Sequence, residues 1–433
     1  MNKLIMIIGA AAVAVGANAA TIEIGGVTWT YTEKDDTAKT ITLGDDTVGG
    51  SYNNSTAMPS GTSLAASSIP WMMTIDGESY WVTKIADFAF YGCTGLTGTL
   101  TIPSCVTNIG YKAFQGAVGL TKVASLGGVT VLEGYAFTSV TAEFPDLSTI
   151  ESLNGNSNFQ DCSGLVKAKL GKSVSSINYR TFYGAGSLTN VEIPRSVTSI
   201  GTQAFRSCAS LTGVFIPGPL SGTTTITADS SSGSNFEGDS KLKYLLLGKN
   251  VKPSGSSGKL NMLYNVSDCK VFAPTSRWGN VTLNGTRTKV VFYGPGSDLD
   301  IEIDEELTTL TATPTTENAL TNVLYAAPVF KSQFGLNTRI NVTNALEVSG
   351  GAITAESLQY ATFNSLTFKV NTQAQLDSVL AAVPSSVPLA IDASDSRVEL
   401  TVPQGREVWV RLSAEGKQGK YTPKIKGLII SFL

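Results

Sequence analysis

The chain has 433 residues, more than one ordinary core holds, so two or three domains are expected. Charged residues make up only 15% and the net charge is −3, which excludes the clustered basic face of a nucleic-acid binder. There is no histidine, which removes Ser-His-Asp and Cys-His catalysis, His-ligated zinc and haem, and imidazole pH switching.

The N-terminus reads as an export signal. Met1-Asn2-Lys3 is a short basic start, residues 4–16 are an apolar run, and Ala17-Asn18-Ala19 is a small-residue cleavage site. The run is shorter than the ~20 residues of a membrane-spanning helix, and no later run reaches that length. A buried N-terminal helix is the competing reading, but it leaves the basic start and cleavage site unexplained. The mature chain is expected to begin near Ala20. No cysteine follows the cleavage site to carry a lipid.

Residues 21–32 and 39–43 read as strands, and residues 44–68 as a Gly/Ser/Asn-rich loop. Together they suit an N-terminal cap on a stack of repeats. The repeats follow. A phenylalanine column runs Phe90, Phe114, Phe137, Phe159, Phe182, Phe205 and Phe236, at steps of 24, 23, 22, 23, 23 and 31 residues. Five residues before it stand Ile85, Ile109, Leu132, Ile177 and Ile200. Six residues after it stand Leu96, Leu120, Leu165, Leu188, Leu211 and Leu242. One such unit cannot bury its apolar residues alone, whereas stacked units can. Strands of neighbouring units then lie about 4.8 Å apart in a parallel ladder.

The pattern Leu-x-x-Ile-x-Ile-Pro-x-x-Val-Thr-x-Ile-Gly-x-x-Ala-Phe, seen in residues 188–205 and, from its second aliphatic position on, in residues 100–114, resembles the BspA-like leucine-rich repeat family over residues 81–248. The resemblance implies a bacterial surface or secreted protein that binds proteins of a host or neighbouring cell. Three units depart from the pattern. The third is out of frame near Ser125-Leu126, the fourth has an insertion at 154–158, and the seventh has one at 228–235.

Residues 271–274 and 290–293 read as final, degenerate rungs, and Gly294-Pro295-Gly296-Ser297 as a break. Beyond it, residues 366–370, 398–402 and 408–412 alternate like strands, and 372–382 suits a short helix. The prediction is a mainly β chain: signal peptide 1–19, N-terminal β cap 20–80, leucine-rich-repeat solenoid 81–296, and a β-rich, sandwich-like accessory domain 298–433.

Several motifs carry little. The five cysteines include Cys93, Cys162 and Cys208 three residues after the repeat Phe, in rungs too far apart to bridge, which suits buried fillers. Gly171-Lys172-Ser173 lacks the first glycine of a phosphate loop, with Val166 in its place. Asp298, Asp300, Glu302 and Asp304 make an acidic strand face that suits solvent better than calcium. No cofactor or metal is expected.

A binding function therefore leads, through the outward positions of the repeat strands. Lys169 and Glu192 lie in one outward column. Phe215 and Leu246 in the same column, and Tyr244 in the neighbouring outward column, break the polar character and are the expected exposed anchors. The competing reading is that another part of the chain covers them. Trp409, beside Arg411, suits stacking on a sugar or packing inside the C-terminal domain. The expected partner is an extracellular protein. The alternatives are a glycan bound, or cleaved by paired carboxylates, in residues 298–433, and an architectural envelope component.

Overall fold

The computed structural model describes residues 19–45, 56–59, 61–227, 234–254, 258–260, 262–278, 281–283, 288–342, 346–347, 359–363, 366–369, 372–383, 389–392 and 409–411. The export signal, apart from Ala19, and the predicted strand 398–402 lie outside them. Two compact units emerge: Met1–Leu245 with Asn250–Cys269 and Asn280–Thr288, and Leu246–Lys249 with Lys270–Gly279 and Lys289–Leu433.

The first unit is a coil of rungs with three sides. One side is a parallel ladder of longer strands, among them Leu96–Thr101, Leu120–Ser125, Lys167–Lys169, Asn190–Glu192 and Gly213–Ile216. In the out-of-frame third unit a single bridge from Lys122 to Glu143 continues it. A second side stacks shorter strands such as Asn108–Ile109, Val131–Leu132 and Ser152–Leu153 in parallel. Every member of the predicted Ile/Leu and Leu columns is buried.

The phenylalanines fill the third side. Phe90, Phe114, Phe137, Phe159, Phe182, Phe205 and Phe236 stack as one column, with centroids 5.0, 5.3, 6.0, 5.7, 5.6 and 5.5 Å apart and planes within 11°. Equal rings at the rung spacing adopt one rotamer each and repeat the same offset contact. Trp29, on the strand Val27–Asp35, closes the N-terminal end edge-on to Phe90 at 6.4 Å. Nearby, the backbone N–H groups of Thr56 and Ala57 bond to the carbonyls of Phe88 and Ala89.

The backbone around this column is zipped in one direction. In rung after rung the residue two before the Phe, the Phe itself and the residue two after it donate to the following rung: Lys112 to Gly134, Phe114 to Ala136, Gly116 to Thr138. The two flanking residues hold positive φ, as at Lys112 (57°) and Gly116 (75°). Left-handed residues spaced this way point successive N–H groups to the same side.

The irregular rungs have their own compensation. Where most rungs place Ala before the Phe, the units with insertions place Asn158 and Asn235. Asn158 Nδ2 donates to the carbonyls of Leu132, Glu133 and Asn154 at 3.2, 2.8 and 3.0 Å. Asn235 Nδ2 donates to that of Gly201 at 2.6 Å. Gly171 of the apparent phosphate motif serves close packing, since a Cβ there would stand 2.0 Å from the Ile150 carbonyl oxygen.

In the second unit, Lys270–Pro274 and Lys289–Tyr293 pair in parallel. The helix Glu317–Phe334 packs on the first of these strands. Phe330 meets Phe272 at 5.3 Å, and Lys270 Nζ donates to Asn322 Oδ1 at 3.0 Å. Thr316 caps the helix by accepting from the Ala319 N–H, and left-handed Gly335 ends it.

The C-terminal stretch is β-rich, with the expected helix at Gln373–Ala382, but it is not sandwich-like. A sandwich is built from antiparallel sheets. Among the described residues here, only Leu299–Ile303 and Thr309–Pro314 pair antiparallel; Thr309–Pro314, Asn337–Ile340 and Ala361–Phe363 run parallel. So do Leu346–Glu347, Leu366–Lys369, Leu389–Asp392 and Trp409–Arg411. The register partners Leu346, Phe368, Ile391 and Val410 step by 22, 23 and 19 residues. Crossovers of that length bring each strand back in the same direction, as a two-residue hairpin cannot.

Candidate interaction site

Lys169 and Glu192 are partners on neighbouring strands, and their exposed side chains pair at 3.7 Å. An exposed pair of this kind contributes about 0–1 kcal/mol. Glu192 is in turn the register partner of Phe215, and there the face changes. Phe215 is 6% exposed and Leu246 0%, so the expected exposed anchors are corrected to buried residues. Both lie in uninterrupted apolar runs, Val214-Phe215-Ile216 and Leu245-Leu246-Leu247. Such runs belong to strands covered on both faces, whereas a half-exposed strand alternates. Tyr244 is half-buried, and burial raises its phenol above the usual value. Trp409 sits on a strand opposite Ala390; its side chain lies outside the described residues.

A group of aromatic and cationic residues instead gathers on the turn edge beside the phenylalanine column. Lys112 Nζ stands 5.3 Å from the Tyr111 ring, 5.5 Å from Tyr135, 5.7 Å from Phe88 and 5.8 Å from Tyr91. The rings meet edge-to-face, Phe88 on Tyr111 at 5.6 Å and Tyr111 on Tyr135 at 5.6 Å. Burial among them pushes the Lys112 ammonium below its usual pKa. The Asp87 carboxylate fixes the turn by accepting from the Tyr111 N–H at 2.7 Å.

Two rungs beyond Tyr135 the arrangement recurs. The Arg180 guanidinium lies 4.9 Å from the Tyr179 ring and 4.8 Å from Tyr183, and its Nε donates to Gln203 Oε1 at 2.6 Å. Arg206 stands 6.0 Å from Tyr183 and pairs with Glu237 at 3.0 Å. The three tyrosines Tyr111, Tyr135 and Tyr183 and both cations, Lys112 and Arg180, remain half-buried.

The backbone beneath is strained. Phe88, Lys112, Tyr135 and Arg180 all hold φ between 56° and 59°. A left-handed conformation costs a side-chain-bearing residue about 1–2 kcal/mol, which Gly avoids. Large aromatic and cationic residues stand where Gly fits better, so the fold alone does not explain them. The sequence held a signal for this edge, in tyrosines and cations recurring at fixed offsets before and after the repeat Phe, which the apolar columns alone do not bring out.

Among the described residues no three or more metal-ligating side chains come together. Of the acidic strand, Glu302 pairs with Lys249 at 3.1 Å, and Asp304 accepts from the N–H groups of Thr308 and Thr309. All the cysteines but Cys105 are buried.

A model of the BspA type leucine rich repeat region matches residues 78–144 and 143–256, in six copies. The repeat region belongs to the BspA-type leucine-rich repeats. No curated protein matches the chain by sequence. Solved structures similar to it include a leucine rich cell surface protein from Faecalibacterium prausnitzii A2-165, at 18% identity, covering 86% of this chain and 94% of that one, with a TM-score of 0.36. A leucine-rich repeat protein from Bacteroides ovatus ATCC 8483 is 16% identical, covering 73% and 99%, with a TM-score of 0.29. The T. pallidum leucine rich repeat protein is 20% identical, covering 62% and 84%, with a TM-score of 0.23. Nothing about partners follows from superpositions this loose. No helix among the described residues is long and apolar enough to cross a membrane.

Proposed function

We propose that this chain is an exported, non-catalytic scaffold that binds an extracellular protein on the turn edge of its BspA-type repeats. The observation that carries the reading is the recurrence of half-exposed tyrosines around a cation, at Lys112 and again at Arg180. Tyrosine and arginine are among the residues that dominate protein interfaces: tyrosine brings area and a polar tip at little rotamer entropy, and arginine a planar fork of donors. The stacked phenylalanines hold these side chains on a rigid support. With Phe215 and Leu246 buried, the strand face lacks the anchors expected of it. Export follows from the N-terminal signal, and the lack of histidine agrees with a binding role.

The test is a screen of immobilised extracellular proteins with the mature chain and two variants, Tyr135→Ala and Arg180→Ala. Partners whose affinity falls at least about tenfold in either variant support the edge. Partners bound equally by all three move the site elsewhere, and a screen without protein partners overturns the reading.

A further inference from the structure

The cap hairpin carries an apolar pair that the repeats do not require. Met72 and Trp81 are cross-strand partners on the antiparallel strands Met72–Ile75 and Glu78–Ile85. Met73, Tyr80 and Val82 point to the opposite face and are buried. The alternation therefore sends Met72 and Trp81 outward, 46% and 50% exposed. Nine residues before the Phe, where Trp81 stands, other rungs carry Cys105, Ser173 and Ser196.

Hydroxyls surround the pair. Thr40 is the register partner of Trp81 on the strand to its other side. Thr74 and Ser79 form the next cross-strand pair on the same face, and both are exposed. The nearest charges, Lys39 and Glu78, lie on the opposite face beside Tyr80 and pair with each other at 3.7 Å.

We propose that Trp81 and Met72 form the platform of a binding site for a neutral saccharide chain. The C–H bonds of a sugar ring carry partial positive charge and rest favourably on the negative face of an indole. The hydroxyls of Thr40, Thr74 and Ser79 suit the sugar's own hydroxyls at the edge of the stack. The paired Lys39 and Glu78 leave no net charge to select an acidic sugar. A second copy of the chain is the poorer occupant: two side chains fall far short of the roughly 800 Å² per partner of a stable protein interface. The site lies apart from the turn edge and stands independently of the protein-binding reading.

The test titrates the full mature chain with cellohexaose, chitohexaose and xylohexaose, followed by tryptophan fluorescence and calorimetry. Binding of at least one saccharide is expected, weakened about tenfold or more by Trp81→Ala, less by Trp81→Phe and by Met72→Thr, and unchanged by Arg180→Ala. Because Trp81 is half in solvent, Trp81→Ala should keep the wild-type melting profile; should it not, Met72→Thr decides alone. Three results overturn the proposal: no binding to any of the three saccharides, binding undiminished in the platform variants, or a dimer that these variants dissociate.

Discussion

The carboxylate of Asp239 accepts a 2.7 Å hydrogen bond from the backbone N–H of Cys208, one rung earlier. It stands three residues after the repeat Phe, where other rungs place Cys, Ala or Val. Its second oxygen has no hydrogen-bond partner, and burial pushes its pKa well above the usual carboxylate value. The titratable groups around it are Cys208, Cys269 and Lys243; burial pushes the Cys269 thiol up to about 12. A carboxyl whose folded pKa lies above its unfolded one contributes stability that is full below the unfolded value of about 4 and is lost as pH rises through the folded value. The rung holding Asp239 is therefore expected to weaken as pH rises. With no histidine in the chain, few other groups titrate near neutrality to mask this. Melting curves between pH 4 and 8 should show Asp239→Asn losing most of the wild-type pH dependence and gaining about 1 kcal/mol at the upper end. Parallel profiles for both proteins would refute it.

Phe159 stacks between Phe137 and Phe182 at 6.0 and 5.7 Å. Phe159→Ala is expected to cost about 3–5 kcal/mol, the usual range for emptying a core phenylalanine site. In a stack where each rung touches only its neighbours the damage should stay near the fourth rung. Hydrogen exchange of rungs three to five checks this. Loss of protection spread evenly over all seven would contradict it.

Asn158 makes three bonds that no alanine can replace. Asn158→Ala restores the residue common at this position, yet it should destabilise by about 1–3 kcal/mol, because the side-chain bonds to the carbonyls of Leu132, Glu133 and Asn154 are lost, the first two keeping only their backbone donors Asn154 and Ala136. Chemical denaturation measures it. A neutral result would mean that water takes over the three acceptors.

Lys112→Gly separates the fold from the edge. Relief of the left-handed backbone gains about 1 kcal/mol, and loss of the ammonium among its four rings costs a similar amount. The melting temperature should barely move, while binding to any partner found for the edge drops about tenfold. A large loss of stability would show that Lys112 serves the fold and not the surface.

The repeat was legible because its cause is local and periodic. Each Phe and Leu of the columns meets its own copy in the next unit, so spacing alone predicts burial. The strand face was misread from Phe215 onward because an outward position was taken as open. The flanking residues Val214 and Ile216 already marked a strand covered on both sides. The parallel pairing of the C-terminal strands depended on the length of their crossovers, although the steps between Phe368, Ile391 and Val410 were there to count. The turn edge escaped because its chemistry comes from side chains of different rungs, which stand 23 residues apart in the chain and side by side in space.

The one-way hydrogen bonds of the turn edge give the stack a sense of growth. Along this edge each rung offers its N–H groups to the rung synthesised after it, whereas on the short-strand side donors such as Thr107 and Gly110 reach back to the rung before. On the ribosome, a chain that has completed the rung of Phe114 holds Lys112, Phe114 and Gly116 as waiting donors until the carbonyls of Gly134, Ala136 and Thr138 emerge. The nascent end is therefore always the polar, unpaired one, while the sealed end is the cap already made. Along the turn edge, then, each of these donors is made before its acceptor.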